Sequence, residues 1–167
     1  MPERKTQIIE RLKSEGAETL TFFRDLPAES WSMQVYDIGP EWDVREVLCH
    51  FVAAETSLTE LFRRIIASGE GVADDFDIDR WNNSKVSKMK DMPPDGLAME
   101  FEKRRGATIA WAQTLSEDDL DKVGRHPFLG MDKVENMLKL LYRHNMLHQR
   151  DVRKVLQTGQ PVPPSDK

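Results

Sequence analysis

Val134, Met137, Leu141, His144, His148, Asp151 and Val155 recur in strictly alternating steps of three and four residues. That spacing keeps all seven on one face of an α-helix and marks a seam packed against other helices. One helix cannot bury such a seam alone, so the chain is committed to a helical bundle. The seam also carries three polar side chains where apolar ones are expected. Burying an imidazole without partners costs about 1–3 kcal/mol, so the interruption calls for a chemical reason.

The rest of the sequence supplies the other bundle members. Residues 6–25 carry Ile8, Ile9, Leu12, Leu20, Phe22 and Phe23 at helical intervals, with Gly16 weakening the middle by about 1 kcal/mol relative to alanine. Pro27 closes this helix, and the stretch from there to Pro40 holds Trp31, Tyr36 and Gly39 without a sustained period and reads as an ordered loop. The second helix begins on Asp43-Val44-Arg45-Glu46, a capping box, and runs to about residue 68. Its stripe is Val47, Ala54, Leu58, Leu61 and Ile65, and His50 sits on it.

Residues 69–92 have no long apolar period. They read as a crossover, with room for a short helix over residues 81–89. Asp75-Phe76-Asp77-Ile78-Asp79 imitates the start of a calcium loop, but Arg80 replaces the required sixth-position glycine and Val86 the twelfth-position glutamate. A third helix is expected over 95–115, with Leu97, Phe101, Thr108, Trp111 and Leu115 on one stripe and Arg104 among them. Residues 116–130 read as a connection containing His126. The fourth helix is expected to open on a second capping box, Asp132-Lys133-Val134-Glu135, and to stop before Gly159. The expected fold is therefore all-α: one domain over 1–167, a four-helix bundle with a long crossover between its second and third helices.

The chain's charge and apolar runs narrow the classes of partner. The net charge is −5, without a block of Lys or Arg, so the electrostatic attraction that dominates nucleic-acid binding is missing. No apolar run reaches the roughly 18 residues that cross a bilayer, and residues 1–6 are charged where a signal peptide needs an apolar core. Neither nucleic acid nor membrane is an expected partner. A lone cysteine, Cys49, fits a reducing compartment, and the expected location is the cytoplasm.

A shared metal ion explains the buried histidines. His144 and His148 lie one turn apart, with about 6 Å between Cβ atoms. His50 is seven residues past the start of its helix and His148 nine before the end of the fourth, about 10 and about 14 Å along the axes. If those helices run antiparallel, the three rings meet at one level. Three imidazoles with an open fourth position suit catalytic rather than structural zinc, and imidazole also binds nickel, copper and iron. Asp151, one turn past His148, is placed either to orient a ligand or act as a base, or to pair with Arg104 or Arg150. His126, beside Pro127, reads as a polar cap rather than a further ligand.

Taken together, Trp42-Asp43-Val44-Arg45-Glu46-Val47-Leu48-Cys49-His50 followed by Glu55, Asp77-Ile78-Asp79-Arg80-Trp81-Asn82, His126-Pro127-Phe128-Leu129-Gly130, and the His144/His148 pair resemble the DinB-like four-helix-bundle superfamily in order and spacing. The resemblance spans nearly the whole chain. It implies a divalent metal, zinc or nickel most often, on His50, His144 and His148, and frequent homodimers. Some relatives are transferases or isomerases that use a low-molecular-weight thiol. The expected function is thus a metal-dependent enzyme activating such a thiol, or water, for attack on a small electrophile. Trp81 and Arg104 are candidates to line the substrate pocket, and Asp151 is a candidate catalytic assistant. The competing reading is a non-catalytic, stress-associated dimeric bundle that binds a metal or small molecule.

Overall fold

The computed structural model describes residues 3–165. Four long helices, α1 (Arg4–Arg24), α2 (Val44–Ser68), α4 (Pro94–Gln113) and α5 (Val134–Thr158), form the bundle, and a short α3 (Ile78–Ser87) lies in the crossover between α2 and α4. Each long helix packs on two others, in the cyclic order α1, α4, α2, α5.

Apolar side chains divide into two clusters, one at each end. Phe23, Val44, Val47, Phe51, Leu97, Phe101, Val152 and Val155 fill one; Ile8, Leu12, Phe62, Ile65, Leu115, Val134 and Met137 fill the other. The ends of each helix that enter these clusters fix its direction. α2 and α4 run the same way, α1 and α5 the opposite way. Two parallel neighbours cannot be joined by a tight turn, so the segment between Ser68 and Pro94 has to return along the bundle, which explains its length.

Between the two apolar ends lies a polar layer. Its centre is Arg105, not Arg104: the Arg105 guanidinium is buried between Glu15 of α1 and Glu55 of α2. Gly16 admits it, because a Cβ there would stand 3.1 Å from the Arg105 side chain. The glycine that weakens α1 locally thus makes room for the bundle's buried cation.

The start of α5 differs from the expected capping box. Residues 123–126 and 130–133 form a two-stranded antiparallel hairpin, β1 (Val123–His126) and β2 (Gly130–Lys133), in which Val123 pairs with Lys133. The ladder holds the chain extended as far as Lys133, so the helix cannot begin on Asp132. Lys133 occupies the cap position without a side-chain hydrogen bond, and the Asp132 carboxylate accepts from Asn136 Nδ2 at 2.7 Å instead. The hairpin presses on α2 so closely that a Cβ on Gly124 would stand 2.6 Å from Ile65. At the start of α2 the expected box is present. Asp43 Oδ1 accepts from Glu46 N at 2.8 Å, and Glu46 Oε1 accepts from Asp43 N at 3.2 Å. Among the described residues no helix is long and apolar enough to cross a membrane.

Candidate metal centre

His50 projects from α2 two turns beyond its capped start, and His144 and His148 project from the facing seam of α5. The antiparallel course of α2 and α5 brings the three rings to one level. Ring centroids are 5.1 Å apart for His50 and His144, 5.3 Å for His50 and His148, and 4.3 Å for His144 and His148. One nitrogen from each ring lies within 4.8 Å of the others, and the Nε2 atoms of His144 and His148 are 3.0 Å apart.

This donor set fits a divalent metal. Bonds of about 2.0–2.1 Å in tetrahedral geometry place ligand nitrogens about 3.3 Å from one another, and the residue types are those zinc and nickel accept. His50 and His148 are buried, whereas His144 is only partly covered, so the cluster has a protein side and an open side.

Tyr36 fixes the orientation of His148. Its hydroxyl donates to Asp151 Oδ2 at 2.9 Å and lies 2.5 Å from His148 Nδ1. Since the single hydroxyl proton goes to the carboxylate, Nδ1–H must be the donor to the tyrosine oxygen. The lone pair of His148 is then on Nε2, facing the other histidines, as metal ligation requires. Tyr36 is itself held where residues 35–37 pair with Val162, past the end of α5. Asp151 also accepts from the backbone N–H of Ser165 at 3.1 Å and from the Ser165 hydroxyl. It therefore reaches His148 through Tyr36 rather than acting at the open side, and its recorded partners are Tyr36 and Ser165 rather than Arg104 or Arg150.

Replacing Tyr36 by phenylalanine removes this link while keeping the ring. Metal affinity, measured by competition with a chromophoric chelator, is expected to fall about 10- to 100-fold. An unchanged affinity in a variant with an unchanged circular dichroism spectrum would contradict the orienting role.

The open side of the cluster meets a cavity of about 620 Å³, a size typical of small-molecule sites. His50 and His144 form part of its wall, together with Asp79, Trp81 and Asn82 from the crossover. Trp81, a candidate pocket residue, lies in this wall. Arg104 does not: its guanidinium pairs with Glu100 at 2.9 Å and donates to the Val52 carbonyl at 3.0 Å, and the side chain is not part of the cavity wall. A smaller hollow between Tyr36, Trp42, His50 and His148 is also bordered by Asp79.

His126, at the end of β1, lines the same large cavity and stacks on Phe62, with centroids 6.2 Å apart. It lies outside the three-histidine cluster, and burial pushes its pKa down to about 4. Cys49 points elsewhere, towards Arg45 and the Met89 carbonyl. Burial pushes its thiol up to about 11, the reverse of an activated nucleophile. Tyr36, Ser165, Asn145 and Asp79 are residues at the site that sequence reasoning did not single out. The first two come from segments without periodicity, and Asn145 is masked by its histidine neighbour.

Comparison with known proteins agrees with this architecture. No curated protein sequence matches the chain. Among solved structures, YfiT from Bacillus subtilis, reported as a probable metal-dependent hydrolase with an unusual four-helix bundle topology, superposes with a TM-score of 0.74. The identity is 18%, over 93% of this chain and 87% of that one. A mycothiol-dependent maleylpyruvate isomerase superposes with a TM-score of 0.70 at 12% identity over 91% of this chain, which spans 63% of the isomerase. At such identities the likeness establishes the fold. Residues 8–152 match the sequence model of one family, and on that match the chain belongs to the DinB superfamily.

Proposed function

We propose that the protein is a metal-dependent enzyme. In this reading His50, His144 and His148 hold a divalent ion, zinc or nickel, that activates a low-molecular-weight thiol, or water, for attack on a small electrophile. The observation that carries this reading is the position of His50 and His144 in the wall of a cavity of about 620 Å³. A purely structural metal site would be closed on all sides.

Three neutral imidazoles leave the charge of a bound divalent ion uncompensated, which acidifies a thiol or water next to it. The chain's own residues do the rest. Tyr36 and Asp151 keep His148 in the ligating tautomer. Trp81 and Phe128 add apolar surface to the cavity wall. Asp79, which borders both the cavity and the hollow beside His148, is the carboxylate placed to take up the released proton. Both nucleophiles have a counterpart on this fold: one structural neighbour is described as a probable metal-dependent hydrolase, and another depends on mycothiol.

The test is a turnover assay of zinc- or nickel-loaded protein with a panel of small electrophiles, alone and with glutathione, bacillithiol or mycothiol. Conversion is expected to depend on the metal and to disappear in His144→Ala. Absence of conversion with every thiol and with water, in protein shown to carry its metal, would leave the non-catalytic binding reading.

A further inference from the structure

Among the described residues, two buried side-chain polar atoms have no hydrogen-bond partner, His126 Nε2 and Asn145 Nδ2. Both residues line the cavity that borders the histidine cluster. Their exposures are 3% and 1%, and both orphan atoms are almost closed to water, from the cavity as well as from the outer surface. Buried polar groups are nearly always paired, and a pair of orphans in one cavity points to a ligand that completes them.

The chemistry of both atoms can be read from their surroundings. His126 Nδ1 accepts from the backbone N–H of Phe128 at 3.0 Å and of Leu129 at 3.2 Å. Two amide hydrogens on one ring nitrogen place the lone pair there, so the ring proton is on Nε2. The lowered pKa of His126 is consistent with a neutral ring that keeps this single donor. Asn145 Nδ2 is an amide NH2, also a donor. Two residues of the cavity wall therefore each carry a donor that lacks an acceptor. Leu58, Leu61, Leu141 and Phe76 make much of the remaining wall apolar, and its charged residues are of both signs, Arg63, Arg64 and Lys85 with Glu60 and Asp79.

We propose that His126 Nε2–H and Asn145 Nδ2–H form a donor pair that receives the carboxylate or carbonyl oxygen of a small substrate with an apolar body. The pair would fix which end of the substrate faces His50 and His144. This substrate class rests on reading the cavity as the enzyme's substrate site; the donor pair itself needs no metal.

The probe is 3-phenylpropionate, with 3-phenylpropylamine as the matched molecule that offers only donors. Each is titrated into full-length, metal-free protein, and binding is followed by calorimetry and by the side-chain NMR signals of Asn145 and His126. The carboxylate is expected to bind at least about tenfold more tightly than the amine, the value of one charge-assisted hydrogen bond, and to shift both side-chain signals. Asn145→Asp, which keeps the volume but replaces a donor by an acceptor, is expected to lose about tenfold in carboxylate affinity, and His126→Phe to weaken it in the same direction. Should Asn145→Asp fail to fold, the side-chain shifts in the wild-type protein decide. Equal binding of the two probes, or carboxylate binding that moves neither signal, would overturn the assignment. Because the titration excludes metal, and the metal content of each variant is measured separately, failure of the metal reading leaves this result intact.

Discussion

Arg105→Met is expected to lower stability at pH 7 by about 3–5 kcal/mol. The Arg105 guanidinium donates to Glu15 Oε2 at 2.5 Å, to Glu55 Oε1 from Nε at 2.9 Å and Nη2 at 2.6 Å, and to the Leu12 carbonyl at 2.9 Å. Thr108 donates to the other oxygen of Glu55, Thr19 to the other oxygen of Glu15, and Gln149 of α5 to the Thr19 hydroxyl. All four long helices thus meet in one polar layer. Methionine fills the volume but leaves two buried carboxylates without a counter-charge.

The pH dependence of the variant follows from the same geometry. Burial already holds the Glu15 carboxyl above its usual range in the intact protein, with Arg105 opposing the shift. Without Arg105 the folded-state pKa rises further, so the folded state binds more protons than the unfolded one. Stability of the variant must then fall as pH rises from about 5 to 7. Urea denaturation at the two pH values checks both claims. A loss below about 1 kcal/mol at pH 7 would show that the layer is not a coupled unit. Replacing Glu15 and Glu55 by leucine in the same variant should restore much of the loss, because a buried triad contributes less than its breakage costs.

The second large effect concerns the metal. A ligand that binds only the folded state adds about 2.7 kcal/mol at a hundredfold excess over its dissociation constant. For a chain of this length that corresponds to a rise of about 5–10 °C in Tm. Zinc or nickel added to chelator-stripped protein should produce this rise, and His148→Ala should abolish it. His148 is the informative position because Tyr36 orients it and the other two rings face it. A Tm of the stripped wild-type protein that ignores added metal would mean that the histidines are structural.

The bundle and the triad were legible because they depend on spacing. The three-four seam of α5, the box at Asp43 and simple counting along the axes suffice to bring His50 to the level of His144 and His148. Side chains whose places depend on tertiary fit were not legible. Arg104 and Arg105 both satisfy the step from Phe101 to Thr108, by three then four or by four then three. The carboxylates of Glu15 and Glu55 and the gap at Gly16 decide for Arg105, and none of these adjoins it in sequence.

The hairpin escaped for a different reason. Its strands have four residues each, too few for a period of two to show, and Asp132 and Glu135 imitate a helix start that only the pairing of Val123 with Lys133 prevents. Tyr36 lies 112 residues from the histidine it orients, in a loop without any pattern. Asp151 was placed near the site by its position on the seam, but its link through Tyr36 could not be read from that position.

The most direct measurement is elemental analysis combined with X-ray absorption on protein purified without an affinity tag, alongside His148→Ala. The three-histidine reading predicts one divalent ion per chain, three imidazole nitrogens at about 2.0–2.1 Å together with an exchangeable ligand, and loss of the ion in the variant. Protein that copurifies with no metal and takes up neither zinc nor nickel when they are supplied would contradict it.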